Sequence, residues 1–170
     1  MPTKRLHLIP DTEIINHFRV YGVETHLPDY KLTLRLNQKL HWRMRRMQGF
    51  RIFGEKPGTF EDFTLYHYEW NAFAGLFLVN PASQISTLLP FSYFIIRGSL
   101  MPRQEKLVLS LMEAVEGIDK VQYIDVQSND LSASYRSWLM NLLSDLEFHI
   151  CERLRTSEIL RDASSNVISD

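Results

Sequence analysis

Thirteen residues, KLHWRMRRMQGFR at 39–51, hold the densest chemistry-bearing stretch of this chain: five Lys or Arg with a His, a Trp and two Met. Cations at this density can bind phosphates or carboxylates, and a Trp among them can stack on a base. With the cations just upstream, the candidate anion-binding set is Lys31, Arg35, Lys39, Arg43, Arg45 and Arg46. The plainer reading is that these residues form the wet faces of a helix and a strand, with Trp42 turned into the core.

Other chemistry is sparse. His67-Tyr68-Glu69 matches the His-x-Glu half of a zinc-deaminase signature, but the Pro-Cys-x-x-Cys half is absent. His149 and Cys151 are two residues apart, so on a helix they face different ways and make no nucleophile–base pair. His7, His17, His26 and His41 show no ligand spacing, and Asp119 and Asp125 flank a strand without a reason to converge. With a single cysteine, Cys151, no zinc site built on cysteines can form. There is no Gly-rich phosphate loop, GxSxG or HExxH. The expectation is a protein without catalytic residues, metal or cofactor.

Charge is uneven. Residues 1–58 carry 11 Lys and Arg against 5 Asp and Glu; residues 59–170 carry 8 against 15. A net charge of −1 overall argues against a dedicated nucleic-acid domain and for two parts that attract each other, within one chain or between two. The 170 residues, 45% hydrophobic and 23% charged, suit one soluble domain. The apolar run Ala72–Val79 is far short of a membrane span, the N-terminus lacks a signal-type apolar stretch, and one cysteine precludes an internal disulfide. These features point to the cytoplasm.

The elements that position these residues follow from periodicity. Ile15–Glu24 reads as a strand with Phe18 and Val20 on one face and Arg19, Tyr21 and Val23 on the other. Residues 27–40 alternate at their centre, yet a helix gathers Lys31, Arg35 and Lys39 into one stripe. It sets Leu32, Leu36 and Leu40 on one flank and Tyr30 and Leu34 on the other, with Pro28 at a first helical position. Trp42 and Met44 then alternate with Arg43 and Arg45 as a half-exposed strand that ends or bulges at Arg45–Arg46. GEKPG (54–58) and NPASQ (80–84) read as loops. Phe63–Tyr68, Phe73–Val79, Tyr93–Arg97 and Val121–Val126 read as strands, with a hairpin connection at EWNA (69–72). A second helix, capped by Ser99 with Pro102 in its first turn, would bury Leu107, Val108, Leu111, Met112 and Val115 and stop at Gly117.

The strongest pattern comes last. Asp130 or Ser132 can cap a helix running to about Leu160, in which Tyr135, Trp138, Leu139, Leu142, Leu143, Leu146, Ile150 and Leu154 recur at helical spacing. About 28 residues of helix would span about 42 Å, more than the ~30 Å of a small domain. Tyr135, Trp138, Leu139, Leu142, Leu146 and Ile150 are therefore the candidate self-association residues. The expected architecture is α+β: a mostly antiparallel sheet of about six strands with helices on one face (1–128), a long C-terminal amphipathic helix (129–162) and a polar tail (163–170).

DYKLTLRLNQKL (29–40), DFTLYHYE (62–69), YFIIRG (93–98) and GIDKVQYIDV (117–126) resemble, in order and spacing, the IPExxVDY family of small bacterial proteins. The resemblance covers roughly residues 13–127. The family's D-Y-[KR]-L-x-x-x-L-N pattern is met at Asp29, Tyr30, Lys31, Leu32, Leu36 and Asn37, while of its naming signature, which would fall at STLLPFSY (86–93), only Tyr93 agrees. The resemblance implies a helix at 29–40 and brings no activity or catalytic residues. The function expected is a non-enzymatic cytoplasmic protein that forms a homodimer or binds a protein partner through its C-terminal helix. The alternative is nucleic-acid or anionic-ligand binding through residues 31–46, with no membrane involvement.

Overall fold

A computed structural model describes residues 17–53, 60–71, 74–81, 91–98 and 100–166. Its elements are β1 (Phe18–Thr25), α1 (Asp29–Leu40), β2 (Arg45–Phe53), β3 (Phe60–Asn71), β4 (Ala74–Pro81), β5 (Phe91–Arg97), α2 (Pro102–Glu113), β6 (Ile118–Ile124) and α3 (Ala133–Asn166). The strands form one sheet in the order β2-β3-β4-β5-β1-β6, and every neighbouring pair is antiparallel. The chain is thus α+β with a mostly antiparallel sheet, as its sequence leads one to expect.

Period-two alternation sorts the strands onto two cores. Phe18, Val20, Phe63, Leu65, Phe77, Val79, Tyr93 and Ile95 point to one face, where α3 lies. Tyr21, Val23, Tyr66, Leu76, Leu78, Phe94 and Ile96 point to the other, beneath α1 and α2. The β1 alternation matches the expected one residue for residue. α1 links β1 to the far edge strand β2, whereas α2 carries the chain from β5 across β1 to β6. The final βαβ unit therefore encloses β1 between its strands.

Local chemistry explains the boundaries. Pro28 is the cap residue of α1 rather than its first helical position: its carbonyl accepts from the Lys31 and Leu32 N–H groups at 3.0 Å. Leu32 and Leu36 are fully buried, but Tyr30 and Leu34 are exposed, so the apolar arc is narrower than expected. Thr33 closes it, its hydroxyl donating to the Asp29 carbonyl. Trp42–Met44 is not strand. The Asn37 amide takes both Met44 backbone groups, accepting from its N–H at 2.8 Å and donating to its carbonyl at 3.1 Å. That clamp holds 42–44 as a connector, and β2 begins at Arg45. Its register shifts between Met47 and Phe50, past the arginine pair, and a Cβ on Gly49 would lie 2.4 Å from the Phe63 carbonyl oxygen.

α2 starts at Pro102 behind Met101, whose N–H donates to the Gln104 side chain. The expected cap, Ser99, lies outside the described residues. So do the 54–58 loop and Ala72 of the expected 69–72 connection, whose Glu69, Trp70 and Asn71 belong to β3, while Asn80 and Pro81 of the second expected loop belong to β4. Gly117, at φ 94°, turns the chain into β6, which begins three residues before the expected Val121. It ends at Ile124 because Asp125 closes the next turn, accepting from the Gln127 N–H. Ser132, not Asp130, caps α3: its hydroxyl accepts from the Tyr135 N–H at 3.3 Å and its carbonyl from Arg136. Among the described residues, no helix is long and apolar enough to cross a membrane.

Candidate functional site

The cations of residues 31–46 are set by the α1 helix, the Asn37 clamp and the start of β2. Lys31, Lys39, Arg43, Arg45 and Arg46 are exposed. Arg35 differs: its guanidinium donates to the Glu116 carbonyl and lies 3.5 Å from the Glu116 carboxylate. Further along β2, Arg51 is held by Asp62 at 2.6 and 3.1 Å and lies 3.8 Å over the Phe60 ring. The ion pairs of the described residues thus consume Arg19, Arg35, Arg51 and Arg97 and include none of Lys31, Lys39, Arg43, Arg45 or Arg46. Because 45 and 46 are consecutive in a strand, Arg45 leaves the sheet on the α3 side and Arg46 on the α1 side, where it lies close to Tyr66. Trp42 is no stacking platform. It lies nearly parallel to Phe94 (ring centroids 6.1 Å, 3°) and to Tyr68 (5.7 Å, 15°), so its π faces serve the core.

The C-terminal candidates belong to the fold itself. Leu139, Leu142 and Leu146, with Leu143, are fully buried against the sheet. Trp138 packs between Phe63 (6.1 Å) and Tyr93 (5.5 Å), and Tyr135 stacks beside it. Ile150 is half-buried at the far end of the same cluster. A second copy cannot dock on side chains that this sheet already covers. Glu147 fixes the helix laterally through a two-pronged pair with Arg97, at 2.6 and 2.7 Å.

Asp145 on this helix has no such ion pair among the described residues, and burial raises its carboxyl above the ordinary carboxylate range. The folded state then favours the protonated acid, so the charged form weakens folding above the folded pKa and the penalty vanishes below the unfolded one, near 3.8. Asp145→Asn is expected to raise the urea midpoint at neutral pH, with the gain shrinking to nothing as pH falls through the carboxylate range. Unfolding curves at stepped pH check this.

One charged group was not anticipated. Leu107, assigned to the apolar face of α2, is 59% exposed, while Glu105 is only 7% exposed. The helix is rotated so that Glu105, Val108, Leu109 and Met112 face the sheet. The Glu105 carboxylate accepts from the buried Tyr21 hydroxyl and pairs with Arg19 at 2.8 Å. Burial and the adjoining carboxylate push the Tyr21 phenol far up, so it stays a proton donor. Tyr123 completes the cluster, its ring 5.5 Å from that of Tyr21. Every polar atom named here has a partner within the protein, which makes this a clasp between α2 and β1.

The remaining expectations separate in space. Among the described residues, no group of three or more His, Cys, Asp or Glu could hold a metal ion. His67 stacks flat on Phe77 at 4.4 Å. Asp119 faces His26 at 3.7 Å while Asp125 caps a turn, so the two carboxylates do not converge. The Cys151 thiol lies 3.7 Å from Glu147, and burial with that carboxylate raises its pKa, the opposite of an activated nucleophile. A surface groove along α3, lined by Ala133, Arg136, Ser137, Met140 and Asn141, exposes one face of a single helix and gathers no acid–base pair.

No protein-family model matches this chain, and no curated protein matches it.

Proposed function

We propose that the chain is a non-catalytic binding protein that joins a second copy of itself, or a protein partner, through the distal part of its C-terminal helix. One observation carries this reading. Among the described residues, α3 packs onto the sheet at Ile150, and the helix of 34 residues continues to Asn166. Sixteen further residues add about 24 Å of helix at 1.5 Å each. Most helical stability in proteins comes from packing an apolar stripe, and Leu154 continues the apolar spacing in the sequence. A bacterial, cytoplasmic setting fits the single cysteine and the resemblance to the IPExxVDY proteins. Sedimentation of the full chain at rising concentration is expected to give a dimer, and Leu154→Glu a monomer whose melting temperature, unlike that of the wild type, does not change with concentration. A wild-type monomer at high concentration overturns the self-association.

A second reading is supported by the cations that have no carboxylate partner among the described residues, Lys31, Lys39, Arg43, Arg45 and Arg46: an anionic ligand bound along α1 and the start of β2. Its affinity would fall steeply with salt, and Arg43→Ala with Arg46→Ala would weaken it by about tenfold or more at low ionic strength.

A further inference from the structure

Among the described residues, β2 is an edge strand: it pairs with β3 alone, and its other side carries backbone N–H and C=O groups without strand partners. Such an edge is a template for an added strand, and proteins guard it with charge and bulges. Here the guard is selective. Arg45 and Arg46 stand at the start of the edge and Arg43 two residues before it, all exposed and none in an ion pair of the described residues. The second half of the strand is already neutralised, since Arg51 is held by Asp62. The register shift between Met47 and Phe50 divides the two halves.

We infer that the Arg45–Met47 edge of β2 takes an acidic, extended polypeptide segment as an added strand, with Arg45 and Arg46 gripping its carboxylates from the two faces of the sheet. This rests on the anion-binding reading of the strip and names its ligand. Two observations favour a peptide over a nucleic acid. Trp42, the aromatic beside the arginines, is half-buried and lies nearly parallel to Phe94 and Tyr68 of the core, so it is not a free platform for a base. An edge strand offers alternating backbone donors and acceptors in the spacing of another strand, and phosphates, which only accept, leave its carbonyls unsatisfied. A second copy of this edge is excluded by the same arginines, because like charges set opposite each other across a strand pair repel. The charge that forbids self-pairing therefore selects an acidic partner, and it sets specificity and encounter rate together.

The probe is a short extended peptide of Glu-Glu pairs between Val-Val pairs, which sends carboxylates to both faces of the sheet, tested on the full chain beside the same peptide with Lys for Glu, an N-methylated version, and a single-stranded oligonucleotide. The Glu peptide is expected to bind with strong salt dependence and to slow amide exchange at residues 45–47. The Lys peptide should not bind, and N-methylation should cost about tenfold or more by removing backbone hydrogen bonds. Arg45→Glu with Arg46→Glu should abolish binding while leaving the circular dichroism spectrum and melting temperature unchanged. Oligonucleotide binding without peptide binding overturns this inference and leaves the anion-binding reading standing. Peptide binding indifferent to N-methylation also overturns it, and failure of both anionic probes removes both readings.

Discussion

Leu142→Ala is expected to lower the free energy of unfolding by about 2–5 kcal/mol, the usual cost of emptying a buried leucine site. Leu142 has no exposed surface and sits with Leu139, Leu143 and Leu146 in the layer between α3 and the sheet. The lost methyl groups and the residual cavity both count, because a side chain held between a helix and a six-stranded sheet leaves its neighbours little room to relax. Against a total stability of about 5–15 kcal/mol for a typical domain, this is a large fraction. Leu142→Asp adds a carboxylate with nothing to pair it, costing several kcal/mol more, and is expected to leave the chain largely unfolded. The measurement is a urea titration, in which the midpoint falls while the slope holds. Phe148→Ala, on the exposed side of the same helix, is the control and should stay within about 0.5 kcal/mol. The shift also separates two roles of the helix. If Leu142 serves this chain's core, the loss is independent of protein concentration; if it served a dimer interface, the loss would shrink on dilution as the wild-type dimer itself dissociates. An unchanged midpoint would mean the C-terminal helix does not form the core described.

Where the sequence was informative, the determining interaction is local. The β1 alternation of Phe18, Val20, Tyr21 and Val23 needs only the strand's own period, and the Ser132 cap needs only the turn it closes. The helical choice for residues 29–40 follows from the lysine and arginine stripe, and Leu32 and Leu36 are buried accordingly. Misses occur where a distant partner decides. Trp42–Met44 alternates like a strand, yet Asn37 captures the Met44 backbone first. Leu107 and Glu105 differ in hydropathy, and hydropathy alone assigns the leucine inward; α2 turns the other way because Tyr21 and Arg19 wait on β1, 84 and 86 residues earlier. The candidate sites divide in the same manner. The cations of α1 and β2 were visible as residues, but which of them are already spent depended on Glu116 and Asp62. The leucines of α3 were visible as a stripe, but periodicity does not say whether the covering surface is a sheet of the same chain or another molecule.

Glu105→Leu is expected to destabilise the protein by about 1–3 kcal/mol, and adding Tyr21→Phe is expected to recover part of that loss. The reasoning turns on who is left without a partner. Removing the carboxylate alone strands the Tyr21 hydroxyl in a site where the residue is 2% exposed, so it can recover no hydrogen bond from water. Arg19 suffers less, because its side chain is 47% exposed and its guanidinium can be hydrated instead. Its share is discounted for that reason. Removing the hydroxyl as well leaves two apolar groups facing each other, and the desolvation penalty of the phenol disappears. A double-mutant cycle therefore yields a coupling energy whose sign is fixed in advance: the pair of substitutions costs less than the sum of the two alone. The same contact predicts the alkaline limit of stability. The Tyr21 pKa is raised in the folded state, so its contribution is complete below the unfolded value of 10.0 and is lost as pH climbs above it. Tyr21→Phe should flatten that decline. Strict additivity of Tyr21→Phe and Glu105→Leu would show that the two side chains act independently, and the clasp between α2 and β1 would have to be abandoned.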